Sequence, residues 1–219
     1  MSAHRPTLRH VFIPACCALA LSACSSLLPS KEPMEILTSQ VHVDPDPAWP
    51  QVTWQLSVGR PSTNDMLESR RLAVVPTPGR IQVYKGVTWD DSVPDLVQTA
   101  LVEAFEDSGR IVAVGRQASG LRNDFLLQLD LRDDEAVYHS AGAPPEVLIV
   151  VNAKLVDSAH SRAVAIHTFR ATATASSTEV HAVAGAFDSA LASLSHDVVG
   201  WTLTSGQQAR AGDATTGKP

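Results

Sequence analysis

Val147-Leu148-Ile149-Val150-Val151-Asn152-Ala153-Lys154-Leu155-Val156 is a near-continuous apolar run. A short run of this kind reads as a β-strand covered on both faces. Before it, Phe125, Leu127, Leu129 and Leu131 recur at every second residue. After it, Val164 to Thr174 alternates in the same way. Period-two alternation is the pattern of a strand with one face in a core. Turn residues separate the three, at Ala141 to Pro145 and at Asp157 to Ser161, so they are expected to form an antiparallel meander.

Two stretches carry helical periodicity. Ser92-Val93-Pro94-Asp95 is a helix start: a serine cap, a proline in the first turn and an acid three residues on. Val93, Leu96, Val97, Ala100, Leu101, Ala104 and Phe105 then share one face, and Gly109 ends the helix. The second helix is expected from Glu179 to Leu203, on Val180, Val183, Phe187, Leu191, Leu194, Val198 and Trp201, with Ser176 and Glu179 as a capping box. Thr204 to Pro219 is rich in Gly, Ala, Thr and Gln and is expected to be disordered.

Toward the amino terminus the signals are shorter. A weak strand is expected at Glu35 to Thr38. Asp44 to Pro50 holds three prolines and must be loop. Val52, Trp54, Leu56 and Val58 share one face of a strand. Short strands follow at Arg71 to Val75, ended by Pro76 and Pro78, at Arg80 to Tyr84, and at Ile111 to Val114. Two amphipathic helices among strands need a sheet to cover. The expected fold is therefore α/β, a mixed sheet with a C-terminal antiparallel meander and two main helices packed on it.

The first residues read as a targeting segment. Arg5 and Arg9 precede an apolar run, Val11 to Leu21, which is shorter than the about 20 residues of a membrane span. Small residues then lead to Cys24. Leu21-Ser22-Ala23-Cys24 resembles the lipobox of bacterial lipoproteins. That resemblance implies cleavage between Ala23 and Cys24, a diacylglyceryl thioether on Cys24 and acylation of the new amino terminus. The other reading is an ordinary signal peptide with an incidental cysteine. Ser25 rather than Asp follows the cysteine, which by analogy with bacterial sorting favours the outer membrane. The expected organisation is a signal peptide over 1–23, a tether over 24–33, a domain over 34–203 and a tail over 204–219.

The chain has 219 residues, with 17 Lys and Arg against 23 Asp and Glu, and a net charge of −6. The segment before Cys24 holds Arg5 and Arg9 but no carboxylate, so the mature chain is more acidic still. Such a balance argues against nucleic acid and against electrostatic capture by anionic lipid heads, which a lipid anchor would make unnecessary. Cys16 and Cys17 leave with the signal and Cys24 takes the lipid, leaving no cysteine for a disulfide.

No nucleophile elbow, P-loop or HExxH is present. His139, His160, His167, His181 and His196 form no close ligand pair. Asp133-Asp134-Glu135 is expected to be a solvated strand end rather than a calcium site. No catalytic, metal or cofactor-binding residue is assigned. Tyr84 and Trp89, flanking Gly86 before the first helix, either seal the end of the core or contact a partner, since Tyr and Trp are enriched at binding hot spots.

The order of these motifs resembles the ABC-type transport auxiliary lipoprotein component family over about residues 34 to 203. The resemblance rests on Arg71-Leu72-Ala73-Val74, on Ile81-Gln82-Val83-Tyr84-Lys85-Gly86 with Trp89, and on Leu101-Val102-Glu103-Ala104-Phe105-Glu106-Asp107-Ser108-Gly109-Arg110. It continues in Leu155-Val156-Asp157 and Arg162 to Ala165, with Ser161 where that family's hairpin commonly has glycine. It implies a periplasmic, non-enzymatic lipoprotein subunit of paraquat-inducible, mammalian-cell-entry-type lipid transport systems. Its implied partners are an ABC permease and ATPase, a mammalian-cell-entry substrate-binding protein and other copies of itself. The implied fold is akin to the amino-terminal domain of the Tol translocation protein, an anticodon-binding-domain-like fold. Two other functions stay open from the residues: a carrier module that binds the lipid itself, and a cell-wall enzyme activator or scaffold.

Overall fold

The computed structural model describes residues 33–120 and 122–216, with the side chains of 213–216 left aside. The chain builds β1 (Glu35–Leu37), β2 (Gln55–Val58), β3 (Ala73–Thr77), β4 (Arg80–Val83), β5 (Val87–Trp89) and α1 (Val93–Ser108). It continues with β6 (Ala113–Arg116), β7 (Phe125–Val137), β8 (Glu146–Asp157), β9 (Arg162–Thr174) and α2 (Val180–Thr216). Seven strands form one mixed sheet, and β1 pairs in parallel with β5 beside it. The meander is β7–β8–β9, antiparallel throughout. Met34–Pro219 form one compact unit on their own.

β7 is the hub of the sheet. One edge pairs with β8 along its whole length. The other edge carries two strands end to end: β2 opposite Phe125, Leu126 and Leu127, and β3 opposite Glu135, Ala136 and Val137. Ser62 bridges the gap between them, donating its N–H to Leu129 and accepting from Leu131. A 13-residue strand spans roughly 43 Å, long enough to serve both.

Packing follows the apolar stripes. Leu101 and Phe105 of α1 and Val183, Val198, Val199 and Leu203 of α2 are fully buried, with Leu56, Leu127, Val151 and Leu155 from the sheet. Ser92 does not cap α1 with its side chain. Its hydroxyl donates to the Asp95 carboxylate instead, which also takes an ion pair from Arg60 at 2.8 Å. At α2, Ser177 rather than Ser176 accepts the Glu179 N–H, at 3.2 Å.

Several boundaries differ from expectation. β3 runs through Pro76 because the β3–β4 register shifts between Val74 and Thr77, so no ladder N–H is needed there. Val87–Trp89 is a strand because its backbone pairs with β1, a contact no local pattern announces. The tail expected to be disordered from Thr204 is the continuation of α2 to Thr216. Two indoles explain it. A Cβ on Gly200 would lie 2.5 Å from Nε1 of Trp49, and one on Gly206 would lie 2.5 Å from Cζ2 of Trp54. The helix passes so close to both rings that only glycine fits. Further along, Arg210 pairs with Asp124 and stands 5.3 Å from the centre of the Phe125 ring. Composition gives these residues no core to join, but the fold supplies one.

Gly206→Ala is expected to destabilise the protein by about 1–2 kcal/mol, because overpacking against Trp54 exceeds the roughly 1 kcal/mol gained in helix propensity; denaturant unfolding followed by tryptophan fluorescence measures it. Ser161 sits in the left-handed region at φ 52. Ser161→Gly relieves a conformation that costs a residue with a Cβ about 1–2 kcal/mol, and the melting temperature is expected to rise by about 1–4 °C.

Candidate functional site

β7 changes its inward face part-way along. Phe125, Leu127, Leu129 and Leu131 point into the core. A bulge between Leu131 and Asp133 then shifts the register against β8. Beyond it the inward positions fall to Asp134 and Ala136. Asp134 is therefore not a solvated strand end, as its acidic neighbours suggested; it is 6% exposed. It lines a cleft with Ser39, Trp89 and Val93 on one side and Phe187 and Asp188 of α2 on the other. The Ser39 hydroxyl donates to Asp188 at 2.6 Å. Among the described residues the Asp134 carboxylate has no hydrogen-bond partner. Burial first, and the neighbouring Glu135 second, push it up to about 7.

The cleft holds about 20 Å³, room for one water and nothing larger. Its chemistry is that of a buried acid which keeps its proton near neutrality. In sequence, the signal was the break in period two at Arg132-Asp133, and only the pairing with β8 shows which way it turns.

A carboxyl with a folded pKa above its unfolded one binds its proton more tightly in the fold. Through Asp134, stability therefore falls as pH rises from about 4 to about 7. Asp134→Asn removes the charge. It is expected to be more stable than the native chain at pH 8, by about 1–3 kcal/mol, with the advantage shrinking toward pH 4; urea unfolding across that range reads it.

The two aromatic candidates part company. Trp89 is 3% exposed and packs edge-on against Phe187, with ring centres 6.0 Å apart. It seals the strand-to-helix corner. Tyr84 is half-buried, and its hydroxyl shares a 2.8 Å hydrogen bond with Tyr138. Burial, then that bond, raises the Tyr84 phenol above its ordinary value. Ala23 and Cys24 lie outside the described residues.

The histidines are dispersed. His139 meets Glu146 at the start of β8, and His160 meets Asp157 at its end, roughly 35 Å away by strand rise. The His160 ring is the main cause that holds the Asp157 carboxyl below its usual value. His167 packs on Phe169 at 4.6 Å, His181 pairs with Glu35, and His196 stacks on Trp49. Among the described residues no three His, Cys, Asp or Glu converge on a metal-sized space.

The outer side of the meander is different in character. Gln128 and Lys154 pair across β7 and β8, and Lys154 pairs with Ile166 of β9, which is 60% exposed. Open grooves of about 480 and 280 Å³ run over this face, both lined by Gln117, Gln128 and Lys154. The helices occupy the opposite face, against Val147, Ile149, Val151, Ala153 and Leu155.

Residues 36–199, from β1 into α2, match the family described as the ABC-type transport auxiliary lipoprotein component. The chain belongs to that family. Its structure is similar to that of protein XCC0632 from Xanthomonas campestris, with a TM-score of 0.76 and 43% identity, over 80% of this chain and 99% of that one. An uncharacterized protein of known structure shares the fold at 12% identity, with a TM-score of 0.59 over 76% of this chain and 97% of that one. A Bradyrhizobium diazoefficiens relative, the uncharacterized protein bll6063, is 27% identical over 157 residues, 72% of this chain. This chain spans 41% of that relative's length. Among the described residues of this family member, no helix is both long and apolar enough to cross a membrane.

Proposed function

We propose that the protein is a lipid-anchored, non-catalytic auxiliary subunit of an ABC transporter of the mammalian-cell-entry type. Cys24 carries the lipid, and the domain stands in the periplasm, at the outer membrane. There it docks the transport assembly, which moves lipids or other hydrophobic molecules between the two membranes. The observation that carries this reading is the division of the sheet. One face is filled by α1 and α2, and the other is an open, mixed polar and apolar surface around Gln128, Lys154 and Ile166. A filled core with an open sheet face suits a docking subunit.

The carrier alternative is less well supported. Lipid carriage needs an apolar pocket of about 300 Å³ or more, and the cleft that reaches this core holds about 20 Å³. The cell-wall enzyme form of the remaining alternative finds no cluster of histidines among the described residues to favour it, with His139 and His160 at opposite ends of β8.

Mass analysis of protein from the native envelope is expected to show a chain beginning at Cys24 with three acyl chains. A photo-crosslinking residue at Gln128 is expected to capture the substrate-binding or permease subunit. An unmodified Cys24 on a freely soluble chain overturns the anchor, and crosslinks to no envelope transport subunit overturn the docking role.

A further inference from the structure

The chain enters its folded unit at Met34, at a corner that combines exposed apolar side chains with a cluster of cations. β1 pairs Glu35, Ile36 and Leu37 with Val87, Thr88 and Trp89. Leu37, Val87 and Trp89 are buried. By period two, Met34 and Ile36 fall on the outward face, 65% and 64% exposed. Among the described residues no apolar partner covers them.

Beside them is a cleft of about 380 Å³ whose lining includes Met34, Tyr84 and Thr88 and three cations, Arg70, Arg71 and Lys85. Local structure holds this arrangement. Gly86 at φ 74 turns the chain from β4 into β5. The Thr88 hydroxyl donates to the Arg70 carbonyl at 2.9 Å, and the Trp89 N–H donates to the same oxygen at 2.7 Å. The arginine pair is thereby fixed against the β5 backbone. None of the three cations has an ion-pair or hydrogen-bond partner for its charged head among the described residues. Arg60, Arg132 and Arg210 each meet a carboxylate, whereas Arg80, Lys154, Arg162 and Arg170 meet none among the described residues; what sets Arg70, Arg71 and Lys85 apart is that all three line one cleft. In a chain with more acids than bases, three neighbouring cations left unneutralised around one cleft await an anion from outside.

We propose that this corner is the face the domain turns to the bilayer, and that Arg70, Arg71 and Lys85 bind the phosphate of an anionic phospholipid headgroup, with Met34 and Ile36 resting at the acyl boundary. The inference rests on the lipid-anchor reading. Cys24 lies ten residues before Met34 in the sequence, so the tether reaches at most roughly 35 Å, and this corner is held near the membrane. Cationic heads beside exposed apolar side chains are the composition of a membrane-interface contact. The net acidic remainder is repelled by the same surface, which orients the domain with its open sheet face free. The attraction acts over about 8 Å at physiological salt, and the anchor raises how often the corner meets the surface without being needed for the contact itself.

The test uses residues 34–219, which form one compact unit, so that no attached lipid contributes. Co-sedimentation is measured with vesicles of phosphatidylcholine and with vesicles containing phosphatidylglycerol. Binding is expected to the anionic vesicles only and to vanish at high salt. Each cation replaced among Arg70→Gln, Arg71→Gln and Lys85→Gln should weaken it roughly fivefold. The triple Arg70→Glu, Arg71→Glu, Lys85→Glu variant should abolish it, and Arg122→Glu with Arg162→Glu should leave it unchanged. Circular dichroism confirms that each variant is folded; were the Glu variant unfolded, the Gln series decides. Equal binding to both vesicles, binding indifferent to the Gln series, or binding of inorganic phosphate without binding of vesicles overturns the proposal. Because Cys24 is absent from this fragment, such a failure leaves the anchor itself standing, to be judged by the mass of the native protein.

Discussion

The hydrogen bonding of β7 is the constraint from which the rest follows. One edge belongs wholly to β8, and the other is divided between β2 and β3 with Ser62 as the link. Strands from distant parts of the chain are thereby placed end to end. A sheet built in this way has one long spine, and both helices lie along the same side of it. Among the described residues no element covers its opposite side.

That division accounts for the character of the protein better than any one side chain. The inner side spends the apolar residues of the meander and of both helices on a filled core. Asp134 is the exception, turned inward by a bulge into a space no larger than a water. A neutral acid in such a place tolerates burial only because it gives up its charge. It lies in the cleft that β7 shares with Ser39, Trp89, α1 and α2. The open side offers grooves lined with Gln117, Gln128 and Lys154, a surface suited to another protein.

The long C-terminal helix shows how aromatic residues near the start of the domain order its end. Trp49 follows a proline-rich loop, and Trp54 precedes β2. Each presents its ring to a glycine of α2, and the helix is held in place as far as Arg210 on Phe125. A stretch whose composition resembles a flexible tail is thus structured by contacts with residues far earlier in the chain.

By itself, the sequence determined the three meander strands, both helices and the α/β class, because period two and period three to four are local consequences of which side chains need burial. It also carried the family, through the spacing of its motifs between β3 and the last hairpin. Only the tertiary structure decided that Trp89 is core, that Asp134 faces inward, that Val87–Trp89 is a strand and that the helix continues past Leu203. Each of these depends on a partner far away in sequence: Phe187, the β8 register, β1 and Trp54. The same holds for the three cations around the entrance to the fold. Counting charges along the chain hides them among its acids, and only folding brings Arg70, Arg71 and Lys85 around one cleft.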